Sequence, residues 1–329
     1  RTVMRQGLAH AARHGITSIQ NMDGNLYTLE LLDEIRAEGG LTARCRIPFH
    51  FKSAMDLAML DKASAMAARY QDDWLASGTV KLFMDGVIDS RTAVLIDPYP
   101  GETAWRGDPL FTPDRFAAIA TEADRRGLQI AVHAIGDGAV RIVLDGYAAA
   151  RRVNGARDSR HRVEHLEVID PADVPRFAAL GVIASMQPRH APGAAEFPLE
   201  PTLSLIGRDR WPYAYAWRTM KEANARIVFA TDWPVSPICP LASLKAAVTR
   251  PRWAAEDPDQ RFTVMEALEA ATVAAAYAEF SEHRKGVIAP GFLADMALLD
   301  GDLMATPPDA IDQIGVRATI VGGRVVYQA

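Results

Sequence analysis

The chain has 329 residues, 49 % hydrophobic and 23 % charged, with a formal net charge of −5. That length suits two domains or one α/β barrel with added elements. Mild acidity without a basic tract argues against nucleic acid, and no apolar run nears the ~20 residues that span a bilayer. Two cysteines, Cys45 and Cys239, are too few for a disulfide framework. They suit free thiols in a reducing, cytoplasmic compartment, and no signal peptide is visible.

In chain order, Thr2 to His14 has helical spacing, Ile16 to Gln20 reads as a strand, and Leu26 to Glu38 as a helix closed by Gly39-Gly40. Arg44 to Phe51 predicts a strand, and Ser53 to Tyr70 a helix with Ser53 as its N-cap. Thr79 to Met84 is the next strand. A long loop rich in Pro, Gly and Asp follows from Asp85 to Phe111, and loops of that length are usually functional or disordered.

Thr112-Pro113 opens a helix that ends at Gly127. Strands at Leu128–Ile135, His161–Leu166, Gly181–Met186 and Arg226–Thr231 alternate with helices at Gly138–Val153, Pro171–Leu180 and Asp209–Ala223. A Pro-rich loop lies at 188–208, and helices follow at Pro240–Val248 and Val264–Phe280. Seven strands each followed by a helix predict a parallel sheet, one unit short of an eight-stranded barrel. The rival open sheet would need a Gly-rich phosphate turn after its first strand, and Ile19 to Gly24 is a poor one. Beyond residue 280 the pattern changes to short strands, with a hairpin around Gly322-Gly323. The expected division is a barrel over 1–280 and β elements of a composite sandwich over 281–329.

Four of the apolar strands carry one ionisable residue near the end: Lys81, His133, His165 and Asp232. In a βα barrel those ends form the active-site face. Imidazole and carboxylate suit Zn²⁺ and similar ions, whereas a protonated lysine does not, so Lys81 fits only as a carbamate. Taken singly, each residue has a plain structural explanation: a hydrogen-bonded core histidine, a lysine reaching solvent, an aspartate capping a turn. His161 and His190 read as structural or surface residues, although His190 follows a strand and could face the pocket. His10, His14, His50 and His283 carry no site signature.

The segments Val80-Lys81-Leu82-Phe83-Met84-Asp85-Gly86, Ser90-Arg91-Thr92-Ala93, His133-Ala134-Ile135-Gly136-Asp137, Glu164-His165, Thr231-Asp232-Trp233-Pro234 and Gly286 to Gly291 with Ala294-Asp295 occur in order. Over nearly the whole chain this resembles the amidohydrolase superfamily, in particular the amidohydrolase-3 branch with its N-substituted formamide deformylase-like members. The resemblance implies a (β/α)8 barrel (TIM barrel, class α/β) beside a β-sandwich built from both chain ends. It implies one or two divalent metals, Zn²⁺ first with Fe²⁺ or Mn²⁺ as alternatives. Their ligands would be carboxylated Lys81, His133, His165 and Asp232, with Asp232 also as proton shuttle. It further implies a His-x-His pair on the first strand, and this chain has none. Either an N-terminal segment is lacking or the site is incomplete; the seven-strand count and the unpartnered C-terminal β elements favour the first.

The expected chemistry is hydrolysis of an amide, formamide or cyclic amide C–N bond by metal-activated water. Asp85, Arg91, Trp105, Gln187 and His190 are expected to shape the pocket for a small-molecule substrate. The alternatives are the same fold acting on an ester, lactone or phosphoester, or a catalytically silent barrel used for binding. A homodimer is left open.

Overall fold

A computed structural model describes all 329 residues. The chain opens with helix α1 (Thr2–Arg13), strand β1 (Ser18–Gln20) and helix α2 (Leu26–Ala37). The expected strand at 44–51 is broken into β2 (Arg44–Arg46) and β3 (Phe49–His50). Pro48 lies in the break; it has no amide hydrogen for a ladder. The following helix starts later than Ser53 predicts. A 3₁₀ turn at Leu57–Met59 is capped by the Asp56 carboxylate, which accepts from the Ala58 amide, and runs into α3 (Leu60–Arg69).

A short strand not expected from the sequence, β4 (Leu75–Ala76), leads through Gly78 at φ +108° into the expected one, β5 (Thr79–Phe83). Then come α4 (Pro113–Arg125), β6 (Gln129–Ala134), α5 (Asp137–Asn154), β7 (Arg162–His165), α6 (Val174–Leu180) and β8 (Ile183–Met186). Thr112 caps α4 as expected, its hydroxyl accepting from the Arg115 amide. The Pro-rich loop holds an unexpected short helix, α7 (Thr202–Ile206). The helix expected at 209–223 is shortened to α8 (Trp217–Glu222), after a 3₁₀ turn containing Pro212 and the left-handed residue Tyr215. Next are β9 (Arg226–Phe229) and α9 (Pro240–Thr249). The last long helix is two pieces, α10 (Val264–Ala271) and α11 (Val273–Ala278), parted at Thr272. The chain ends in β10 (Met296–Leu299), β11 (Val316–Val321) and β12 (Arg324–Gln328).

All strand pairs from β1 to β9 are parallel, in the order β1-β2-β4 and β3-β5-β6-β7-β8-β9. Because β2 continues into β3 and β4 into β5, this is one succession of seven strand positions with β1 and β9 at its edges. The sheet curls: Gln20 on β1 accepts from the Arg162 guanidinium on β7 and donates to the Ala275 carbonyl of α11 at 2.8 Å. This is the curved α/β architecture expected from the sequence, with β1 and β9 not joined to each other.

Alternation along the strands sorts the side chains. Val80, Leu82, Ile130, Val132, Val163 and Ala184 enter the main apolar core beneath the helices. The intervening residues meet inside: Thr79 with Gln129 at 3.0 Å, and Arg162 with Ser185 at 3.0 Å. Below them, Gln129 donates to the Ala278 carbonyl at 2.7 Å and Arg46 to that of Glu279 at 3.4 Å, so the end of α11 covers the amino-terminal mouth. No helix is long and apolar enough to cross a membrane.

The sheet β10-β11-β12 is antiparallel and packs on α1. It is fastened to the strands by Arg44, whose Nε and Nη2 reach Asp295 Oδ2 and Oδ1 at 2.6 and 2.9 Å. Both side chains are about 5 % exposed or less, and Asp295 also accepts from the Gly322 amide at 2.8 Å. Removing one partner of a buried bidentate pair strands the other charge. Arg44→Met is therefore expected to lower unfolding stability by about 3–5 kcal/mol, measured by urea denaturation. A loss below about 1 kcal/mol, the level of an exposed pair, would contradict this fastening role.

Candidate metal centre

The carboxyl ends of β5, β6, β7, β8 and β9 bring the ionisable residues to one face. Lys81 lies within β5 and is 1 % exposed. His133 is the fifth residue of β6, paired in register beside Phe83. His165 ends β7, and Asp232 follows β9. Both have positive φ, +78° for His165 and +54° for Asp232. Such backbone is unfavourable for side-chain-bearing residues and clusters at functional sites. Here it falls at the two strand ends that carry His165 and Asp232.

An unbroken row of rings runs along this rim. His50 and Phe83 have centroids 5.2 Å apart, Phe83 and His133 4.9 Å, and His133 and His165 4.4 Å. His165 and His190 stack at 6.1 Å, and His190 meets Phe197 at 5.3 Å. The Lys81 ammonium sits 4.4 Å over Phe83.

Ligand atoms of His165, His190 and Asp232 all lie within 4.8 Å of one another. His165 Nδ1 and His190 Nε2 are buried and have no hydrogen-bond partner. His190 Nε2 and Asp232 Oδ2 are 3.8 Å apart, too far for a hydrogen bond. Two ligands about 2.1 Å from a tetrahedral Zn²⁺ stand about 3.4 Å apart. The donor types fit a divalent cation, and closing round one would draw His190 and Asp232 together by about 0.4 Å and the trio's other separations, bounded by 4.8 Å, by up to about 1.4 Å.

His190, expected as a pocket residue, belongs to this trio. His133 stands one ring away from it. Its Nε2 is 2.9 Å from the Gly86 carbonyl, which can only accept, so that nitrogen carries the proton and Nδ1 the lone pair. Lys81 is buried beside the Glu164 and Asp232 charges without an ion pair within 4 Å.

Burial dominates the electrostatics. It lowers His133 and His190 to about 4 and puts His165 well below its usual value. All three imidazoles are therefore neutral near pH 7, the form that binds metal. Burial also lowers Lys81 to about 8 and raises Asp232 to about 6, the latter held down by the Lys81 charge. Glu164, buried between Arg162 and Lys81, has Oε1 2.7 Å from Arg162 Nε at an angle that makes no hydrogen bond. That contact is an ion pair.

The other expected pocket residues divide. Asp85 accepts from the amides of Val94, Ile135 and Gly136 at 2.9, 3.0 and 2.9 Å and has no exposed side-chain surface. Its place corrects the expectation that it touches substrate: it ties the 85–111 loop to the end of β6. Gly136 permits this tie, since a Cβ there would stand 2.1 Å from the Val94 carbonyl oxygen. Arg91 pairs with Glu102 at 2.8 Å, and the Trp105 indole donates to the Arg91 carbonyl at 2.9 Å; both lie in the exposed part of that loop. Gln187 is buried and approaches the His165 imidazole. Glu167 has no counterpart among the expected residues. It is largely but not fully buried, accepts from the Tyr215 hydroxyl at 2.8 Å, and lies 3.9 Å from His190 Nδ1. A separate cleft of about 330 Å³ lies away from this cluster, between α8, the start of β9 and α10–α11.

Comparison with known proteins agrees with this geometry. Residues 1–327 match the model of the Amidohydrolase family, in its Amidohydro_3 form. The chain is 35 % identical over 259 residues to Protein LONG AFTER FAR-RED 3 of Arabidopsis thaliana, covering 78 % of this chain and 44 % of that protein. It is 27 % identical over 283 residues to N-substituted formamide deformylase of Arthrobacter pascens, covering 85 % and 51 %. The chain thus spans about half the length of these relatives. An uncharacterized metal-dependent hydrolase from Pyrococcus furiosus superposes with a TM-score of 0.78 at 28 % identity, over 92 % of this chain and 60 % of that one. With strand-end histidines and an aspartate gathered on the carboxyl face of a parallel βα sheet, and a family match across all but two residues, the chain belongs to the amidohydrolase family.

Proposed function

We propose that the protein is a metal-dependent hydrolase cleaving the C–N bond of a small-molecule amide, formamide or cyclic amide. The observation that carries this reading is the gathering of His165, His190 and Asp232, in which each imidazole has a buried nitrogen without a hydrogen-bond partner and that of His190 lies 3.8 Å from Asp232. The formamide deformylase among the relatives supports the bond type.

Zn²⁺, Fe²⁺ or Mn²⁺ held by His165, His190 and Asp232, with His133 and a carboxylated Lys81 as further ligands, supplies Lewis acidity and lowers the pKa of water when bound. The chain does the rest. Burial keeps the imidazole lone pairs free of protons. Lys81, lowered to about 8, has a share of neutral amine at neutral pH. That amine can add its lone pair to the carbon of CO₂ and lose a proton, leaving a carbamate. Asp232, near 6, is ionised at neutral pH, so Oδ2 can take a proton. It is acidic enough to return that proton to the departing nitrogen, acting as general base and then acid. Phe83 offers an aromatic surface beside the cluster, and Gln187, Arg91 and Trp105 are proposed to bound the substrate.

Three variants test this reading. His190→Ala is expected to weaken zinc binding about tenfold or more, read by competition with a chromophoric chelator; unchanged affinity removes His190 from the centre. Asp232→Asn in the zinc-loaded protein is expected to reduce amide hydrolysis at least about a hundredfold. Retained turnover takes the proton-transfer role away from Asp232.

The third concerns Glu167, which burial raises from 4.5 to about 8. Between those values the unfolded chain releases the proton and the folded chain keeps it, so this group costs stability as pH rises. Glu167→Gln is expected to gain stability relative to the wild type from pH 4.5 up to about 8 and to level off above. Urea denaturation of the metal-free proteins at several pH values measures the difference; a constant offset would mean that Glu167 is ionised in the fold.

A further inference from the structure

A second imidazole–carboxylate pair stands on the same rim, outside the candidate metal centre. Asp23 follows β1, and His50 ends β3. His50 Nδ1 is 2.8 Å from Asp23 Oδ1. His50 pairs in register with Lys81 on the neighbouring strand, and its ring lies against Phe83. Phe83 in turn separates it from His133. His50 is therefore one aromatic ring away from the cluster, on the side opposite His190.

The pair has a definite polarity. An ionised carboxylate only accepts, so the Nδ1 hydrogen points to Asp23, and in the neutral ring Nε2 carries the lone pair. No group of the chain hydrogen-bonds Nε2. The His50 side chain is 20 % exposed and that of Asp23 is 78 % exposed, so the ring is fixed on one edge and accessible on another. Charge around the rim selects what can approach. The rim's carboxylates include Asp23, which is exposed beside His50, and the partly exposed Asp232 on the far side. The arginines of the flanking loops are paired, Arg91 with Glu102 and Arg189 with Glu196. Lys81, the one unpaired cation beside Phe83, is buried and is the residue proposed to be carboxylated. In the loaded protein an anionic substrate therefore finds no free cation there, whereas an uncharged N–H donor finds an acceptor.

We infer that His50, oriented by Asp23, binds the substrate N–H, and that the substrate class is an uncharged secondary amide or urea whose nitrogen substituent lies on Phe83. This rests on the proposed hydrolase reading and specifies its substrate. The N–H is donated to Nε2, and no covalent step involves His50.

The test uses the zinc-loaded protein with formanilide, which has one N–H, and N-methylformanilide, which has none. Calorimetric affinities and, where aniline is released, KM and kcat are measured for both. Wild type is expected to bind formanilide about tenfold or more tightly than the methylated probe, the effect of one hydrogen bond to a site built for it. His50→Ala should remove that preference, raising KM for formanilide with little change in kcat. Asp23→Asn should reduce it, and His50→Gln, which keeps an acceptor, should retain part of it. Zinc content should be unchanged in all three variants. Equal preference in wild type and His50→Ala overturns the inference, as does failure of wild type to bind formanilide at its solubility limit. Formanilide bound with the expected preference but never hydrolysed would instead contradict the hydrolase reading and leave the role of His50 standing.

Discussion

The structure turns on polar groups held out of water without partners. His165 Nδ1 and His190 Nε2 are buried and unpaired, and the Asp232 carboxylate beside them is pushed toward its protonated form. An unsatisfied buried group costs about 1–3 kcal/mol, so two imidazoles and a displaced carboxylate penalise the fold by several kcal/mol. Folding alone would favour apolar residues here. The arrangement makes physical sense when a cation satisfies the lone pairs and the carboxylate together, and the strained backbone at His165 and Asp232 belongs to the same compromise.

The surroundings hold that compromise in place. Asp85 secures the long loop through three backbone amides, and Gly136 lets the backbones meet where any side chain would collide. Glu167 and Tyr215 lie behind His190, and Arg162 with Glu164 fills the layer below. At the far end, α11 covers the mouth through backbone carbonyls that accept from Gln129 and Arg46. The rigid end carries the packing and the opposite end carries the chemistry, the usual division in βα barrels.

The barrel elements were largely legible in the sequence because alternating strands and capped helices leave periodic marks. Thr112-Pro113 announces α4, and the apolar runs ending at Lys81, His133, His165 and Asp232 announce the strands that carry them. Where reading failed, a local competitor won. Pro48 divided a strand that looked continuous, the short β4 before Gly78 went unread, Asp56 captured the cap expected of Ser53, and Thr272 divided a helix. Ligand geometry was less visible. The 3₁₀ turn at 188–190 brings His190 to the cluster, while the Gly86 carbonyl turns one nitrogen of His133 to a donor role. Neither fact leaves a trace in residue spacing. Glu167 and His50 were silent for the same reason, since their partners Tyr215 and Asp23 are distant in sequence and adjacent only in space.

The most direct test of the central claim is anomalous diffraction from a crystal of the protein loaded with zinc. A peak is expected about 2.0–2.2 Å from a ring nitrogen of His165, His190 Nε2 and an oxygen of Asp232. A zinc peak bound elsewhere, with those three atoms still unpaired, would contradict it.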